Sequence, residues 1–223
     1  MLILAVDTSG RRGSVALCRG DADTFEVLVR AELEGGTYSA RLVPCIAELL
    51  NQCGFAKSDL DGLAVVDGPG SFTGLRVGLS TAKALCEVLG KPMAAVSMLE
   101  ALAVTYGEEG QQITAVLDAG RGELYVGHYR ISEQRAELER EYIAKHVDFL
   151  ADIAALKARV ITTHPALAEL GGTDVALVKP LQADAIGRIG LRKLFAGDTV
   201  DPATLDANYI RRSNAELYTP PKR

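Results

Sequence analysis

The spacing of apolar and polar positions divides the chain into short strands and a few amphipathic helices. Leu2-Ile-Leu-Ala-Val6 is an unbroken apolar run, the pattern of a buried strand. The polar, glycine-containing stretch from Asp7 to Gly13 then predicts a wide turn into a second strand over 14–18. A third strand is predicted over 24–32, where Phe25, Val27 and Val29 alternate with polar residues. Over 39–53, Leu42, Val43, Ile46, Leu49, Leu50 and Cys53 recur at helical spacing, with Pro44 expected to kink the helix or sit in its first turn. A short strand at 63–66 leads through Asp67-Gly-Pro-Gly-Ser-Phe-Thr-Gly74 into a second helix over 75–89, stopped by Gly90. A strand over 92–96 follows, then a helix to Ala103, capped by Ser97 with Glu100 placed for a capping box.

The polar stretch 107–112 predicts a domain boundary, giving a first unit of 1–106 and a second of 107–223. The second repeats the plan of the first. Leu4-Ala-Val-Asp7 with its Gly/Arg turn and following strand parallels Ala115-Val-Leu-Asp118 with its own. Further strand signals lie at 139–143, alternating helix and strand signals run to Phe195, and an extended tail is expected beyond. Two α/β lobes with facing hairpin tips make a cleft, where small-molecule sites form.

Composition narrows the function classes. The chain has 223 residues with 24 Lys+Arg against 29 Asp+Glu, a net charge of −5, which disfavours nucleic-acid binding by this chain alone. Basic residues concentrate only at Arg211-Arg212 and Lys222-Arg223. Apolar residues make up 48% without a run of about 18 that could span a bilayer, and the start of the chain lacks a basic secretory n-region, so a cytoplasmic location is expected. The four cysteines form no CxxC pair and are expected to be reduced; His128, His146 and His164 have no metal-site spacing, so no metal centre is expected.

The most informative local signal is the loop Gly68-Pro69-Gly70-Ser71-Phe72-Thr73-Gly74 at a strand-to-helix junction. It reads either as a phosphate-approach loop or as a tight structural turn capped by Ser71 or Thr73. It is not a Walker loop, since no Lys follows Gly74. Asp7, Thr8 and Ser9 could hold a metal-bound phosphate or simply form the turn, and Asp118, Arg121 and Glu123 are their counterparts. No serine sits in a GxSxG elbow, and no Ser/His/Asp triad can be picked out. Gly74, Gly78 and Ala82 form a stripe of small residues beside Leu75, Leu79 and Leu85, suited to close helix packing within the chain or with another.

Together these residues resemble the bacterial TsaB (also called YeaZ) family of tRNA threonylcarbamoyladenosine biosynthesis. The likeness rests on Leu2-Ile-Leu-Ala-Val-Asp7-Thr8-Ser9 with Ser14-Val-Ala-Leu17, and most specifically on Gly68-Pro-Gly-Ser-Phe-Thr-Gly-Leu-Arg-Val-Gly78. Ser97-Met-Leu-Glu-Ala-Leu102, Leu117-Asp118-Ala-Gly-Arg121-Gly-Glu123-Leu-Tyr125 and Tyr209-Ile-Arg-Arg with Ala215-Glu216 follow in the family's order. One departure is Tyr38-Ser39, where the family commonly has His-Ser.

The resemblance implies a two-lobed α/β fold of the actin-like ATPase, sugar kinase and Hsp70 (ASKHA) type, with ribonuclease H-like lobes. It implies a non-catalytic scaffold or activator for TsaD, with TsaE joining. TsaD transfers threonylcarbamoyl to the adenosine beside the anticodon of tRNAs reading codons beginning with A. It implies a homodimer when alone, contact with tRNA only through the complex, and no required cofactor. On this reading Asp7, Thr8, Ser9, Gly68, Gly70, Ser71 and Thr73 are candidates for weak ATP or ADP binding. Leu42, Ile46, Leu49, Leu75, Gly78, Leu79 and Ala82 are candidates for the partner interface. The alternative is a small sugar-kinase-like phosphotransferase, with Asp7 and the glycine loop holding Mg-ATP and Asp118 as base. Metallopeptidase activity is disfavoured by the missing HxxxH and HExxH patterns.

Overall fold

The computed structural model describes residues 1–21, 24–153, 156, 158–208 and 210. Two five-stranded sheets are built on one plan. In the first, β1 (Leu2–Asp7), β2 (Arg12–Gly20), β3 (Phe25–Glu34), β4 (Gly62–Gly68) and β5 (Met93–Ser97) lie in the order β3-β2-β1-β4-β5. In the second, β6 (Gln112–Gly120), β7 (Glu123–Ser132), β8 (Arg135–Lys145), β9 (Arg159–Thr162) and β10 (Val175–Leu177) lie in the order β10-β9-β6-β7-β8. Each sheet opens with an antiparallel three-stranded meander and ends with two parallel strands. The duplication read from the two Asp-containing turns therefore extends through the whole topology, and the expected two-lobed α/β fold is present.

Every residue of β1 is buried, as its unbroken apolar run requires, so the first sheet is covered on both faces. Helices α1 (Tyr38–Gln52), α2 (Phe72–Leu89) and α6 (Ala183–Ala196) supply that cover. The third strand reaches Glu34, and a bulge opposite Leu17 and Cys18 breaks its predicted alternation. Helix α1 runs unbroken through Pro44, which lies on its exposed side in the second turn. Helix α2 starts three residues earlier than predicted, because the Ser71 side chain accepts the Gly74 N–H and supplies the cap. Ser97 caps α3 (Met98–Tyr106) by accepting the Glu100 N–H, but the box does not close: the Glu100 carboxylate turns to Lys193.

The packing bears on two expectations. First, a cut at 106/107 does not separate the packing units. Leu99, Leu102 and Ala103 of α3, from the first half, share a core with Ile113, Ala115, Tyr129, Ile131 and Ile161 of the second sheet. Conversely, α6 comes from the second half and packs on the first sheet, its Ile186, Ile189, Leu191 and Leu194 joining that core. Gly187 and Gly190 make the contact close, since a Cβ on Gly190 would sit 2.2 Å from that of Ala64. Each half thus lends its last helix to the other. The short helices α4 (His146–Asp152) and α5 (Pro165–Gly171) cover the remaining side of the second sheet, through Phe149 and Leu167.

Second, Leu42, Ile46, Leu49, Leu75, Gly78, Leu79 and Ala82, the expected interface residues, face the core of the first lobe. All are buried within the chain, because they form the inward faces of α1 and α2. The small-residue stripe lets α2 approach the β1–β2 turn: a Cβ on Gly78 would lie 2.3 Å from Thr8 Oγ1, and one on Gly74 2.0 Å from the Thr8 carbonyl oxygen. Beyond α6, Val200 bridges to Met93 and the chain continues along the first lobe to Asn208. The motif residues Tyr209, Arg211, Arg212, Ala215 and Glu216, and the Lys222-Arg223 end, lie outside the described residues.

A cleft between two duplicated turns

Between the lobes lies a cleft of about 1250 Å³, lined by the β1–β2 turn, the start of α1, the β4–α2 loop, the β6–β7 turn, and residues 163–164 and 180–181. Of the candidate phosphate contacts, Asp7, Ser9, Gly70, Ser71 and Thr73 line it, whereas Thr8 and Gly68 do not. The turn is folded in on itself. Asp7 Oδ1 accepts both the Ser9 N–H at 2.8 Å and the Ser9 hydroxyl at 2.7 Å. The Thr8 hydroxyl donates to the Gly74 carbonyl at 2.7 Å, and the Ser71 N–H donates to the Ser9 carbonyl at 2.6 Å. Burial holds the Asp7 carboxyl above the usual carboxylate range, against the two Ser9 hydrogen bonds, which pull it down. Gly70 is needed for the close approach, since a Cβ there would meet the Ser9 carbonyl oxygen at 2.5 Å. The glycine loop is therefore a tight structural junction, and its capping residue Ser71 also faces the cleft.

Tyr38 braces the tip of the same turn. Its hydroxyl donates to the Gly10 carbonyl at 2.8 Å, and its ring packs so near Gly13 that a Cβ there would sit 2.8 Å away. Burial, with Asp7 adding, pushes that hydroxyl up to about 12.

The opposite wall repeats the turn with different surroundings. Asp118 Oδ1 accepts the Gly120 N–H at 2.9 Å, the counterpart of the Asp7–Ser9 bond. Around it the structure gathers two histidines that the sequence leaves isolated: His146 Nε2 is 3.7 Å from Oδ1 and His164 Nε2 is 3.8 Å from Oδ2. No local spacing could reveal the set, because the three residues come from the end of β6, the start of α4 and the β9–α5 loop. Among the described residues no group of three His, Cys, Asp or Glu side chains is arranged to hold a metal ion. His128 is part of the sheet packing, its ring nitrogens 2.9 Å from Thr114 Oγ1 and 3.1 Å from the Tyr142 hydroxyl. Burial and then Arg140 lower its proton affinity.

Paired lobes with this strand order and a cleft between facing turns define the class: an ASKHA-type two-lobed fold. A solved structure of that class, the activator of 2-hydroxyisocaproyl-CoA dehydratase from Clostridium difficile, superposes with a TM-score of 0.50 at 12% identity, over 88% of this chain and 95% of that one. YeaZ from Pseudomonas aeruginosa superposes with a TM-score of 0.76 at 26% identity, over 94% of this chain and all of that one. The family described as TsaD, tRNA N6-adenosine threonylcarbamoyltransferase, matches residues 32–205. In sequence, the tRNA threonylcarbamoyladenosine biosynthesis protein TsaB of Bacillus subtilis is 35% identical over 92% of this chain and 85% of that protein. The chain spans just over half the length of several other curated relatives it matches. The chain belongs to the TsaB (YeaZ) family.

Proposed function

We propose that this chain is a non-catalytic scaffold and activator subunit in the threonylcarbamoylation of tRNA. It pairs with a TsaD transferase, is joined by TsaE, and meets tRNA only inside that assembly. Family membership supports the pathway, since the Bacillus subtilis relative is named for threonylcarbamoyladenosine biosynthesis. The observation that carries the non-catalytic role is the inward commitment of the first-lobe turn. Asp7 is buried and occupied by Ser9, and Thr8 by Gly74, so the side chains a phosphotransferase would offer to Mg-ATP are engaged in packing the chain against itself. Any ATP or ADP then binds weakly, through the backbone and Ser71 at the cleft wall.

The pairing surface moves to the outward side of the helices first considered. Val43 on α1, and Phe72 and Val88 on α2, are exposed, with the Arg76 guanidinium lying 3.8 Å over the Phe72 ring. These residues suit a second copy when the chain is alone and TsaD in the complex. No described helix is long and apolar enough to cross a membrane.

The test is size-exclusion chromatography with light scattering on the chain alone and mixed with TsaD from the same source, with tRNA threonylcarbamoylation assayed on the same fractions. A mixed complex, and modification that depends on adding this chain, are expected. Modification without it, together with ATP turnover by the isolated chain, would favour the phosphotransferase alternative.

A further inference from the structure

The exchanged helix α6 reaches the second lobe at a place well removed from the cleft. Strand β7 starts at the turn that lines the cleft and ends at the β7–β8 tip, and its 10 residues span about 30 Å. At that tip Glu133 and Gln134 both adopt left-handed backbone conformations, with φ of 50° and 58°. Arg192 of α6 holds the tip. One guanidinium nitrogen donates to the Gln134 carbonyl at 2.9 Å and another to the Gln134 side-chain oxygen. Glu109 accepts the Glu133 N–H at 3.1 Å.

Two neutral oxygens thus occupy a charged fork whose best partner is an oxyanion. Arg188 lies one turn back on α6, its guanidinium 4.4 Å over the Phe25 ring, and Arg135 stands at the start of β8. None of the three arginines forms an ion pair among the described residues. They act on one another instead: burial first, then Arg188 and Arg135, lower the proton affinity of Arg192.

There is room for an anion beside them. Cavities of about 430 and 420 Å³ border the Arg192–Gln134 bridge and share Val104 and Ile189 as apolar lining. The smaller one sets Glu133, Glu137 and Asp198 against Arg135 and Arg192. In the larger one Arg188 joins Arg192, while Asp184 is already paired with Arg30 at 2.9 Å and Glu109 is turned to the hairpin tip. The positive surplus therefore lies on the Arg188 side.

We propose that this larger cavity binds a small phosphate monoester, whose phosphate takes the Arg192 fork over from Gln134 and is shared with Arg188. A dianion offsets both guanidinium charges, where a carboxylate would offset one. Val104 and Ile189 receive the ester's carbon part. The site is separate from the nucleotide contacts considered at the cleft, and it uses side chains that the scaffold role leaves unassigned.

The test is a titration of the full chain with inorganic phosphate and with phenyl phosphate, followed by NMR at the Arg192 and Arg188 guanidinium Nε–H groups and the Gln134 amide. Acetate at matched ionic strength is the control. Saturable shifts are expected, with a midpoint at least tenfold lower for phosphate than for acetate and severalfold lower again for phenyl phosphate. Arg192→Lys, which keeps the charge but not the fork, should raise the phosphate midpoint about tenfold, and Arg188→Gln about threefold. Gln134→Gly should lower it, since the resident competitor is gone and the left-handed conformation is retained. The Gly70 and Ser71 amides of the cleft should not follow the same curve. Shifts that never saturate, or an equal midpoint for acetate, would overturn the site. A midpoint unmoved by the arginine variants would do the same, and equal affinity for the two phosphates would overturn the ester. Arg188 is exposed, so its variant decides the matter even if Arg192→Lys fails to fold.

Discussion

The two lobes follow one chain path and differ in the helices laid over it. In the first, α1 and α2 run for 15 and 18 residues, and the turn after β1 is pressed so tightly under α2 that Asp7 is 3% exposed. In the second, α4 and α5 have 7 residues each, and the Asp118 side chain is 39% exposed between two imidazoles. The strands and the aspartate-to-backbone bond are common to both. The fate of each aspartate is therefore set by its neighbouring helix: Gly74 and Gly78 bring α2 onto Thr8, whereas Asp118 is bordered by histidines from two separate connections. A duplicated turn becomes packing in one lobe and cleft wall in the other.

Breaking the tight lobe at its closest contact should have the largest effect. Gly78→Leu has no room beside Thr8 and should cost about 3 kcal/mol or more, read as a lower urea midpoint or as loss of the folded state. Next come truncations that separate the lobes by their exchanged helices. Leu191→Ala in α6 and Leu102→Ala in α3 should each cost about 2 to 5 kcal/mol. The first should lower amide protection in β1 and β2 and the second in β6 and β7; the reverse assignment would undo the exchange described above.

The buried aspartate gives a pH signature. Its folded proton affinity is raised, so the stability it contributes is full below the unfolded value near 3.8 and is lost as pH rises through the folded one. Asp7→Asn should therefore gain stability relative to wild type as pH rises from 4 to 7, measured as the difference in urea midpoints. Tyr38→Phe removes one hydrogen bond to Gly10 and should cost about 1 kcal/mol. Smallest in stability, within about 0.5 kcal/mol, are Val43→Asp and Val88→Asp on the outward helix faces. Their expected effect is on association, read by light scattering, and unchanged pairing in both would move the interface elsewhere.

Much of this organisation is legible in the sequence. The run 2–6, the Asp-containing turns and the glycine loop place the strands, the repeat and one wall of the cleft, because these depend on local spacing. What stays hidden depends on contacts between distant segments. The stripe at Gly74, Gly78 and Ala82 shows that something comes close; only the fold shows that Thr8 does, 66 residues away in the case of its bond to Gly74. The grouping of His146 and His164 around Asp118 has no sequence period, and neither does the meeting of Asp67, Glu141 and Asn208. The apparent boundary at 107–112 marks where the polypeptide passes from one sheet to the next, and not where packing ends.

The exchange of α3 and α6 bears on how the chain can be divided. Severed in the polar stretch 107–112, it would give two polypeptides, each with a complete sheet and each missing the helix that closes one face of it. Neither piece should persist alone, yet each carries what the other lacks. Co-expressed, the two should find one another and reassemble without a peptide bond between them.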